Sequence, residues 1–355
     1  MRSYSIAAIP GDGIGRETVA ETRTVLDALA GPAGFRLDWR EYPWSCAHYL
    51  STGRMMDDGA LDQLAEADAI LLGAVGSPEV PDHISLWGLL IPIRRHFDQF
   101  VSLRPARLLS GVPSPLRADK AAFDLVIVRE NSEGEYSELG GRIFSGQPGE
   151  FAVQEAVFTR KGVERIARYA FDLARTRSGK LVSATKSNGI VHTMPFWDEV
   201  VAGVAAEYSD VEYAQYHVDA LAGLLVLDPQ RFDVIVASNL FGDILSDLTA
   251  ALAGSIGIAP CGNIDATGTH PSMFEPIHGS APDIVGTGSA NPIGQLWSAV
   301  LMLEHLGEKL AAAELMAAIE TVVAAGRVTP DLGGTLSTDE VCAAVIAALA
   351  AAAIV

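Results

Sequence analysis

The chain is poor in cysteine, and the few cysteines it has are scattered. Cys46, Cys261 and Cys342 form no CxxC pair and no Cys/His cluster. This pattern excludes a disulfide framework and a zinc site of the usual ligand spacing. A reducing compartment is therefore the expected environment.

Positive charge and long apolar runs are also scarce. The 25 Lys and Arg residues stand against 44 Asp and Glu, which gives a formal charge of −19 and argues against a nucleic-acid partner. The N-terminal apolar stretch breaks at Pro10 and lacks the features of a signal peptide. The apolar stretch at 342–355 is shorter than the roughly 18 residues of a membrane span and predicts a packed helix. We expect a cytoplasmic protein that does not enter a membrane.

Strand-like and helix-like segments alternate along the 355 residues, of which 49% are hydrophobic. Helical patterns near 16–29, 58–66, 162–177 and 196–207 are separated by apolar strand-like runs. Such alternation predicts an α/β fold of about two domains, with a parallel sheet covered by helices. The strand-like runs are YSIAAI, FRLDWREY, ADAILLGAVG, DLVIVRE, KLVSATKSN, VEYAQYHVDA and FDVIVASN.

Polar residues close several of these predicted strands. Arg129, Lys186, Asp219 and Asn239 stand at or near the strand ends in the second half of the chain. In open parallel sheets, ligands bind beyond the carboxyl ends of the strands. These four residues therefore indicate a binding site.

A glycine-rich turn, IPGDGIGRE, links the first strand to the first helix. Its glycines are spaced GxGxG, which satisfies neither the dinucleotide fingerprint GxGxxG nor a P-loop. Two interpretations remain: a tight strand-to-helix turn, or direct binding of a phosphate by backbone N–H groups. The second would be compatible with a magnesium-dependent phosphotransferase.

Acidic residues at helical spacing follow the strand FDVIVASN. Asp243 and Asp247 lie four residues apart, so their carboxylates share one face of a helix. The pair is either a solvated helix face or part of a metal site. Asp219 offers a third carboxylate, and a set of oxygen ligands favours Mg²⁺ or Mn²⁺.

Basic and proton-transfer candidates occur in apolar surroundings. Arg94, Arg104 and Arg129 can bind a dicarboxylate bidentately, or each can pair with an internal Asp or Glu. Tyr136 and Lys186 can transfer protons if they are desolvated or placed beside charges; otherwise they are ordinary surface groups.

The segment FEPIHGSAPDIVGTGSANP, residues 274–292, is too long and polar for a simple turn. His278, Gly279 and Ser280 offer hydrogen-bond donors. The carboxylate of Asp283 suits a ribose 2′-hydroxyl and repels a 2′-phosphate. The alternative is a purely structural loop.

The motifs together resemble those of the β-decarboxylating dehydrogenases, the isocitrate/isopropylmalate dehydrogenase family. They are IPGDGIG, LRPARL, VRENSEGEY, TKSN, VDA, SNLFGDILSDL and FEPIHGSAPDI, in the family's order. The resemblance implies a fold distinct from the Rossmann unit, with two domains sharing a large mixed sheet. It implies an NAD-binding domain at 1–100 plus 255–355, and a substrate, metal and dimerisation domain at 101–254.

The resemblance also implies roles for individual residues. Metal ligands would be Asp243 and Asp247, with Asp219 contributed by the neighbouring subunit of a homodimer. Asp219 would also belong to the catalytic group, beside a proton-transfer pair, Tyr136 and Lys186, with Lys186 reaching across the dimer interface. The implied cofactors are NAD, Mn²⁺ or Mg²⁺, and K⁺ as a further cation. The substrate-binding residues would be Arg94, Arg104, Arg129, Trp87, Leu90 and Asn188. The NAD site would comprise Glu275, His278, Gly279, Ser280, Ala281, Pro282, Asp283 and Asn291.

Within this family, the segment before Arg94 meets the substrate's C3 substituent. Leu90 and Ile91 offer no hydroxyl for the third carboxylate of isocitrate, whose unpaired burial is costly. Trp87 stands where 3-isopropylmalate enzymes typically have glutamate. Its indole should take up volume and removes that carboxylate, so a smaller C3 group fits better. We therefore expect a small 2-hydroxy diacid, D-malate or tartrate.

Other interpretations remain open at this point. The alternative substrate is 3-isopropylmalate, since Leu90 and Ile91 keep the apolar pair that meets its isopropyl group in this family. Residues 189–192, GIVH, depart from the stretch expected after TKSN and leave the substrate preference open. The alternative from a different class is a non-catalytic relative that binds small acids.

Overall fold

The computed structural model describes residues 1–352, and the last three residues of the predicted C-terminal helix lie outside that range. A π-helical turn, Leu86–Leu90, precedes the fifth helix. The strands are β1 (Arg2–Gly11), β2 (Phe35–Glu41), β3 (Ala69–Ala74), β4 (Val101–Arg107), β5 (Asp124–Glu130), β6 (Gly140–Ile143), β7 (Phe151–Gln154), β8 (Lys180–Thr185), β9 (Glu212–His217), β10 (Val234–Ala237), β11 (Pro260–Ile264) and β12 (Ser272–Pro276). The helices are α1 (Gly15–Ala33), α2 (Cys46–Thr52), α3 (Ala60–Leu64), α4 (Asp82–Ser85), α5 (Ile91–His96), α6 (Arg160–Thr176), α7 (Thr193–Ala205), α8 (Val218–Leu227), α9 (Asn239–Leu252), α10 (Ile293–His305), α11 (Lys309–Ala324) and α12 (Thr338–Ala352).

The chain is α/β with a ten-stranded mixed sheet, as the family resemblance implied. It divides into two compact units. The first comprises residues 1–99, 107–117 and 250–355, and the second comprises 100–106 and 118–249. Among residues 1–352, no helix is long and apolar enough to cross a bilayer.

In the first unit the strand order is β2-β1-β3-β12-β11. β1 runs parallel to β2 and β3, while β11 is antiparallel to β12. Because successive side chains of a strand point to opposite faces, Ile6 packs with α1, α10, α11 and α12, whereas Ile9 packs with Trp44, Leu64 and Phe97. Burial on both faces fixes the register of these strands.

In the second unit the strand order is β4-β5-β10-β8-β9, and β5, β10, β8 and β9 run parallel. The helix α6 packs on β5, β10 and β8. The predicted strand VEYAQYHVDA is shorter than expected, since β9 ends at His217. Asp219 therefore lies in the first turn of α8 and not on the strand.

A separate antiparallel hairpin, β6–β7, belongs to the second unit. Its apolar side chains are exposed in the single chain: Ile143, Phe144, Phe151 and Val153. Two-stranded sheets of this kind need further packing for stability.

Candidate active site

Asp243 is the centre of a charged cluster in the second unit. Its Oδ1 accepts a hydrogen bond from Arg104 Nη1 at 3.0 Å and another from Arg129 Nη1. Its Oδ2 accepts from the Tyr136 hydroxyl at 2.9 Å. Arg104 also donates to Ser246 Oγ, one turn further along α9, at 2.7 Å. The cluster brings together two predicted substrate arginines, a predicted metal ligand and a predicted proton donor.

Arg129 is held in place by Asn239. The guanidinium donates from Nε and Nη2 to Asn239 Oδ1 at 3.1 and 2.7 Å, in a bidentate arrangement that fixes its plane. Asn239 Nδ2 in turn donates to the Glu133 carbonyl oxygen at 3.0 Å. Arg129 is the next-to-last residue of β5, and Asn239 begins α9 two residues after the end of β10, so adjacent parallel strands create this contact.

Tyr136 is half-buried beside these charges. Burial raises the pKa of Tyr136, and the negative charge of Asp243 raises it further. The Arg129 guanidinium lies 5.5 Å from the tyrosine ring centroid and opposes part of this shift. The phenol is consequently protonated at neutral pH.

Asp247 lies one turn beyond Asp243 on α9. Partial desolvation raises the pKa of Asp247, and Asp243 adds a like-charge contribution that Arg104 opposes. Among residues 1–352 its carboxylate makes no hydrogen bond or ion pair. Two neighbouring carboxylates of this kind fit a divalent cation, which prefers oxygen ligands and would relieve their repulsion.

Lys186 and Asp219 form an ion pair in the second unit. Lys186 follows β8, and its Nζ lies 2.8 Å from Asp219 Oδ2. The lysine lowers the pKa of Asp219 through this hydrogen bond. Within the described part of a single chain, no three acidic, histidine or cysteine side chains form a metal-binding group. Asn188, two residues after Lys186, is exposed.

In the first unit, Arg94 pairs with Glu275. Arg94 Nη2 lies 2.7 Å from Glu275 Oε1, and the same oxygen accepts from Asn263 Nδ2 at 2.7 Å. Both charged side chains are buried. Arg94 Nε is also buried, and residues 1–352 give it no hydrogen-bond partner. This donor is available to a bound carboxylate.

Trp87 lies on the π-helical turn just before α5. The Arg95 guanidinium stands 4.9 Å from the centroid of its indole, a cation–π arrangement that holds the ring. Leu90, on the same turn, is half-buried. Such turns are frequent at functional sites.

The predicted NAD loop follows β12. The His278 side chain has a buried Nε2 with no hydrogen-bond partner in the described chain, and burial lowers the pKa of His278. Gly279, Pro282 and Asp283 are exposed, whereas Ser280 is buried and Ala281 has a positive φ of 42°. Asn291 donates to Asp331 Oδ2 at 2.9 Å. The unpartnered imidazole nitrogen and the exposed carboxylate suit a polar ligand such as a nucleotide.

The backbone donors of the GDGIG turn are already in use. Asp12 N donates to the Ala74 carbonyl at 2.7 Å, Ile14 N to Ser280 at 2.9 Å and Gly15 N to Asp12 at 3.0 Å. Since these three N–H groups face protein oxygens, they do not point to a phosphate, and the contacts favour the tight-turn interpretation.

Some participants were not anticipated from the sequence. Ser246 shares Arg104 with Asp243, and Asn263 shares Glu275 with Arg94. Ser246 lies three residues after Asp243 on a predicted helix, and this spacing could have indicated that the two side chains contact the same arginine. Nothing in the sequence pattern indicates that Asn263 contacts Glu275.

Known proteins resemble this chain over nearly its full length. Residues 5–345 match the isocitrate/isopropylmalate dehydrogenase family. The chain is 53% identical to the tartrate dehydrogenase/decarboxylase of Pseudomonas putida, covering 98% of each chain. It is 52% identical to the decarboxylating D-malate dehydrogenase of Escherichia coli (strain K12), covering 97% of this chain and 98% of that protein. The crystal structure of isocitrate dehydrogenase from Methylococcus capsulatus matches with a TM-score of 0.89 and 35% identity, over 98% and 99% of the two chains.

A chain with this fold and this grouping of arginine, aspartate and tyrosine is a dehydrogenase of dicarboxylates. It belongs to the isocitrate/isopropylmalate dehydrogenase family, whose members use NAD(P) and a divalent metal ion.

Proposed function

We propose that this protein uses NAD⁺ to oxidise a small 2-hydroxy diacid: D-malate to pyruvate and CO₂, or tartrate, or both. The observation that carries the proposal is the convergence of Arg104, Arg129 and Tyr136 on Asp243. It supplies carboxylate-binding cations, a proton donor and a metal ligand in one cluster. The relatives named for tartrate and D-malate support the substrate class.

The substrate's size follows from Trp87 and the apolar residues after it. The indole stacked beside Arg95 takes up space and carries no charge to repel a carboxylate. Leu90 and Ile91 cannot pair with a third carboxylate, which disfavours isocitrate. A hydroxyl or hydrogen at C3 therefore fits better than an isopropyl group.

The chain's own residues account for binding and proton transfer. Arg94, Arg104 and Arg129 bind the two carboxylates of the substrate, which lets a strongly acidic protein accept a dianion. Lys186, as the neutral amine, accepts the proton of the C2 hydroxyl when C2 is oxidised and becomes an ammonium group. Once CO₂ has left the resulting β-keto acid, Tyr136 donates a proton to C3, which it can do because the phenol carries its proton at neutral pH.

The proposed binding residues fit the chemistry of a divalent cation and of NAD. Asp243 and Asp247, with Asp219 of the partner subunit, would hold Mn²⁺ or Mg²⁺. His278, Asp283 and the rest of the loop at 278–283, with Glu275 and Asn291, would bind NAD. When bound, the cation stabilises negative charge on substrate oxygens, and NAD⁺ accepts the hydride from C2. K⁺ is proposed as a further cation, testable by exchange for Na⁺.

A homodimer is part of this proposal. Apolar side chains are exposed on the β6–β7 hairpin, on α8 and on α9 of the single chain, and exposed apolar surface of this kind favours association. Val226 and Leu227 end α8, the helix that begins beside Asp219, and Ile244 directly follows Asp243. We expect the interface to bring these helices of two copies together.

The decisive assay follows NADH absorbance with Mn²⁺ present. Purified protein is given NAD⁺ and, in turn, D-malate, tartrate isomers, 3-isopropylmalate and isocitrate, with CO₂ release measured alongside. We expect turnover of D-malate or tartrate at a higher kcat/KM than of 3-isopropylmalate. No NADH from any of the four would show a non-catalytic relative, and a preference for 3-isopropylmalate would overturn the substrate assignment.

A further inference from the structure

The buried carboxylate of Asp12 has no role in the proposed chemistry. Its side chain accepts backbone hydrogen bonds from two distant segments, from Cys46 at 2.9 Å and Ala47 at 3.3 Å, and from Gly76 at 3.1 Å. A buried charge is retained only when it is fully hydrogen-bonded, and here backbone N–H groups satisfy it. The carboxylate thus fixes the GDGIG turn against α2 and the end of β3.

The same turn touches the predicted NAD loop at the backbone. Ile14 N donates to the Ser280 carbonyl oxygen at 2.9 Å. Gly13 has φ of 55°, and a Cβ added there would stand 2.0 Å from Ser280 O. Only glycine allows the turn to approach the loop this closely.

The loop needs such support because its next residue is strained. Ala281 has φ of 42°, a conformation that costs a non-glycine residue energy and persists only when its surroundings impose it. The hydrogen bond from Ile14 and the close approach of Gly13 both fall on Ser280, the residue directly before Ala281.

We propose that Asp12 is a positioning residue for the cofactor loop: through the GDGIG turn it holds Ser280 and Ala281 in the conformation that receives NAD⁺. The inference rests on the proposed assignment of residues 278–283 to the cofactor. It concerns the order of the loop, which can be measured without any ligand.

The test compares Asp12→Asn with Asp68→Asn. The amide of Asn cannot accept from all three backbone donors. Asp68 is a matched control, because its carboxylate accepts the Ser5 N–H at 2.7 Å in the same unit. Hydrogen–deuterium exchange of the ligand-free protein reports on loop order, and calorimetric titration with NAD⁺ reports on affinity. Gly13→Ala is the second variant, in case Asp12→Asn does not fold.

We expect Asp12→Asn and Gly13→Ala to accelerate exchange across 278–283 and to weaken NAD⁺ binding about tenfold, as loss of one charged hydrogen bond would. Asp68→Asn should change neither the exchange rate nor the NAD⁺ affinity. In all three variants the KM for D-malate should stay within about twofold of the wild-type value. Unchanged exchange at 278–283 in both variants would overturn the inference. Faster exchange with unchanged NAD⁺ affinity would support the positioning role and instead contradict the proposed cofactor assignment.

Discussion

Lys186 Nζ lies 2.8 Å from Asp219 Oδ2 in the same chain. Both residues were predicted, from the family resemblance, to reach into the neighbouring subunit. Their pairing means that one chain would deliver the proton acceptor and the third metal ligand together. In the ion pair the lysine is positively charged and lowers the pKa of Asp219, whereas the proposed proton acceptor is the neutral amine.

Loss of the lysine should abolish most turnover while leaving the fold intact. Lys186→Ala removes the proposed proton acceptor, so kcat for D-malate should fall by about 10² to 10⁴. Lys180→Ala, an exposed lysine at the start of β8, is the matched control and should behave as wild type. Steady-state kinetics over a series of pH values measures kcat for D-malate in each variant. Wild-type kcat in Lys186→Ala would remove the lysine from the mechanism.

Replacing Asp247 should affect the metal-free and metal-loaded protein in opposite directions. The raised pKa of Asp247 shows that its ionised form is disfavoured in the folded chain. Asp247→Asn should therefore slightly increase the free energy of unfolding without metal, yet reduce the stabilisation that added Mn²⁺ provides. Thermal denaturation with and without Mn²⁺ measures both effects, and Glu164→Gln, at a partly exposed position on α6, is the control. Equal stabilisation by Mn²⁺ in wild type and Asp247→Asn would argue against the ligand assignment.

Glu130 predicts a pH dependence of stability. Burial raises its pKa from 4.5 to about 7, against hydrogen bonds from Ser132 and Glu133 that lower it. Because folding raises the pKa of Glu130, its protonated carboxyl group contributes fully to the free energy of unfolding below about pH 4.5. This contribution is lost as the pH rises through 7. Glu130→Gln carries a neutral side chain that resembles the protonated carboxyl group, so its stability should not show this loss with rising pH.

Urea unfolding from pH 4.5 to 7.5 tests this prediction. The stability of wild type relative to Glu130→Gln should fall by about 3 kcal/mol over the range. Parallel pH profiles for the two proteins would show that Glu130 titrates normally.

Trp87 should govern which diacid is accepted. Trp87→Ala removes the indole that stacks with Arg95 and opens space beside Leu90. We expect the kcat/KM ratio of 3-isopropylmalate to D-malate to rise by about tenfold or more, the scale of a change in apolar pocket volume. Trp39→Ala, on β2, serves as the control. An unchanged ratio would place the specificity elsewhere.

The site could be predicted in part because its residues follow strands or share a helix face. Asp243 and Asp247 on α9, and Arg129 at the end of β5, follow directly from helical spacing and the sheet pattern. The partner of each arginine could not be predicted. Arg94 meets Glu275 across 181 positions and Arg129 meets Asp243 across 114, and no local pattern encodes such contacts.

In the fold as well, features set by local sequence could be predicted, whereas features set by distant residues could not. The alternation of strands and helices predicted the α/β class, and burial on both faces produced the apolar runs that made β3 and β5 visible. The antiparallel pairing of β11 with β12 left no signal in the sequence, because the direction of a strand depends on the path of its connection. The role of Asp12 was hidden for a similar reason, since its donors lie 34 to 64 residues away.

The most direct test of the account is a crystal structure of the Mn²⁺-loaded protein with anomalous scattering at the manganese edge. We expect one Mn²⁺ per protomer, bound by Asp243 and Asp247 of one chain and by Asp219 of the partner subunit. A manganese ion bound without Asp219 of either chain, or bound away from α9, would contradict it.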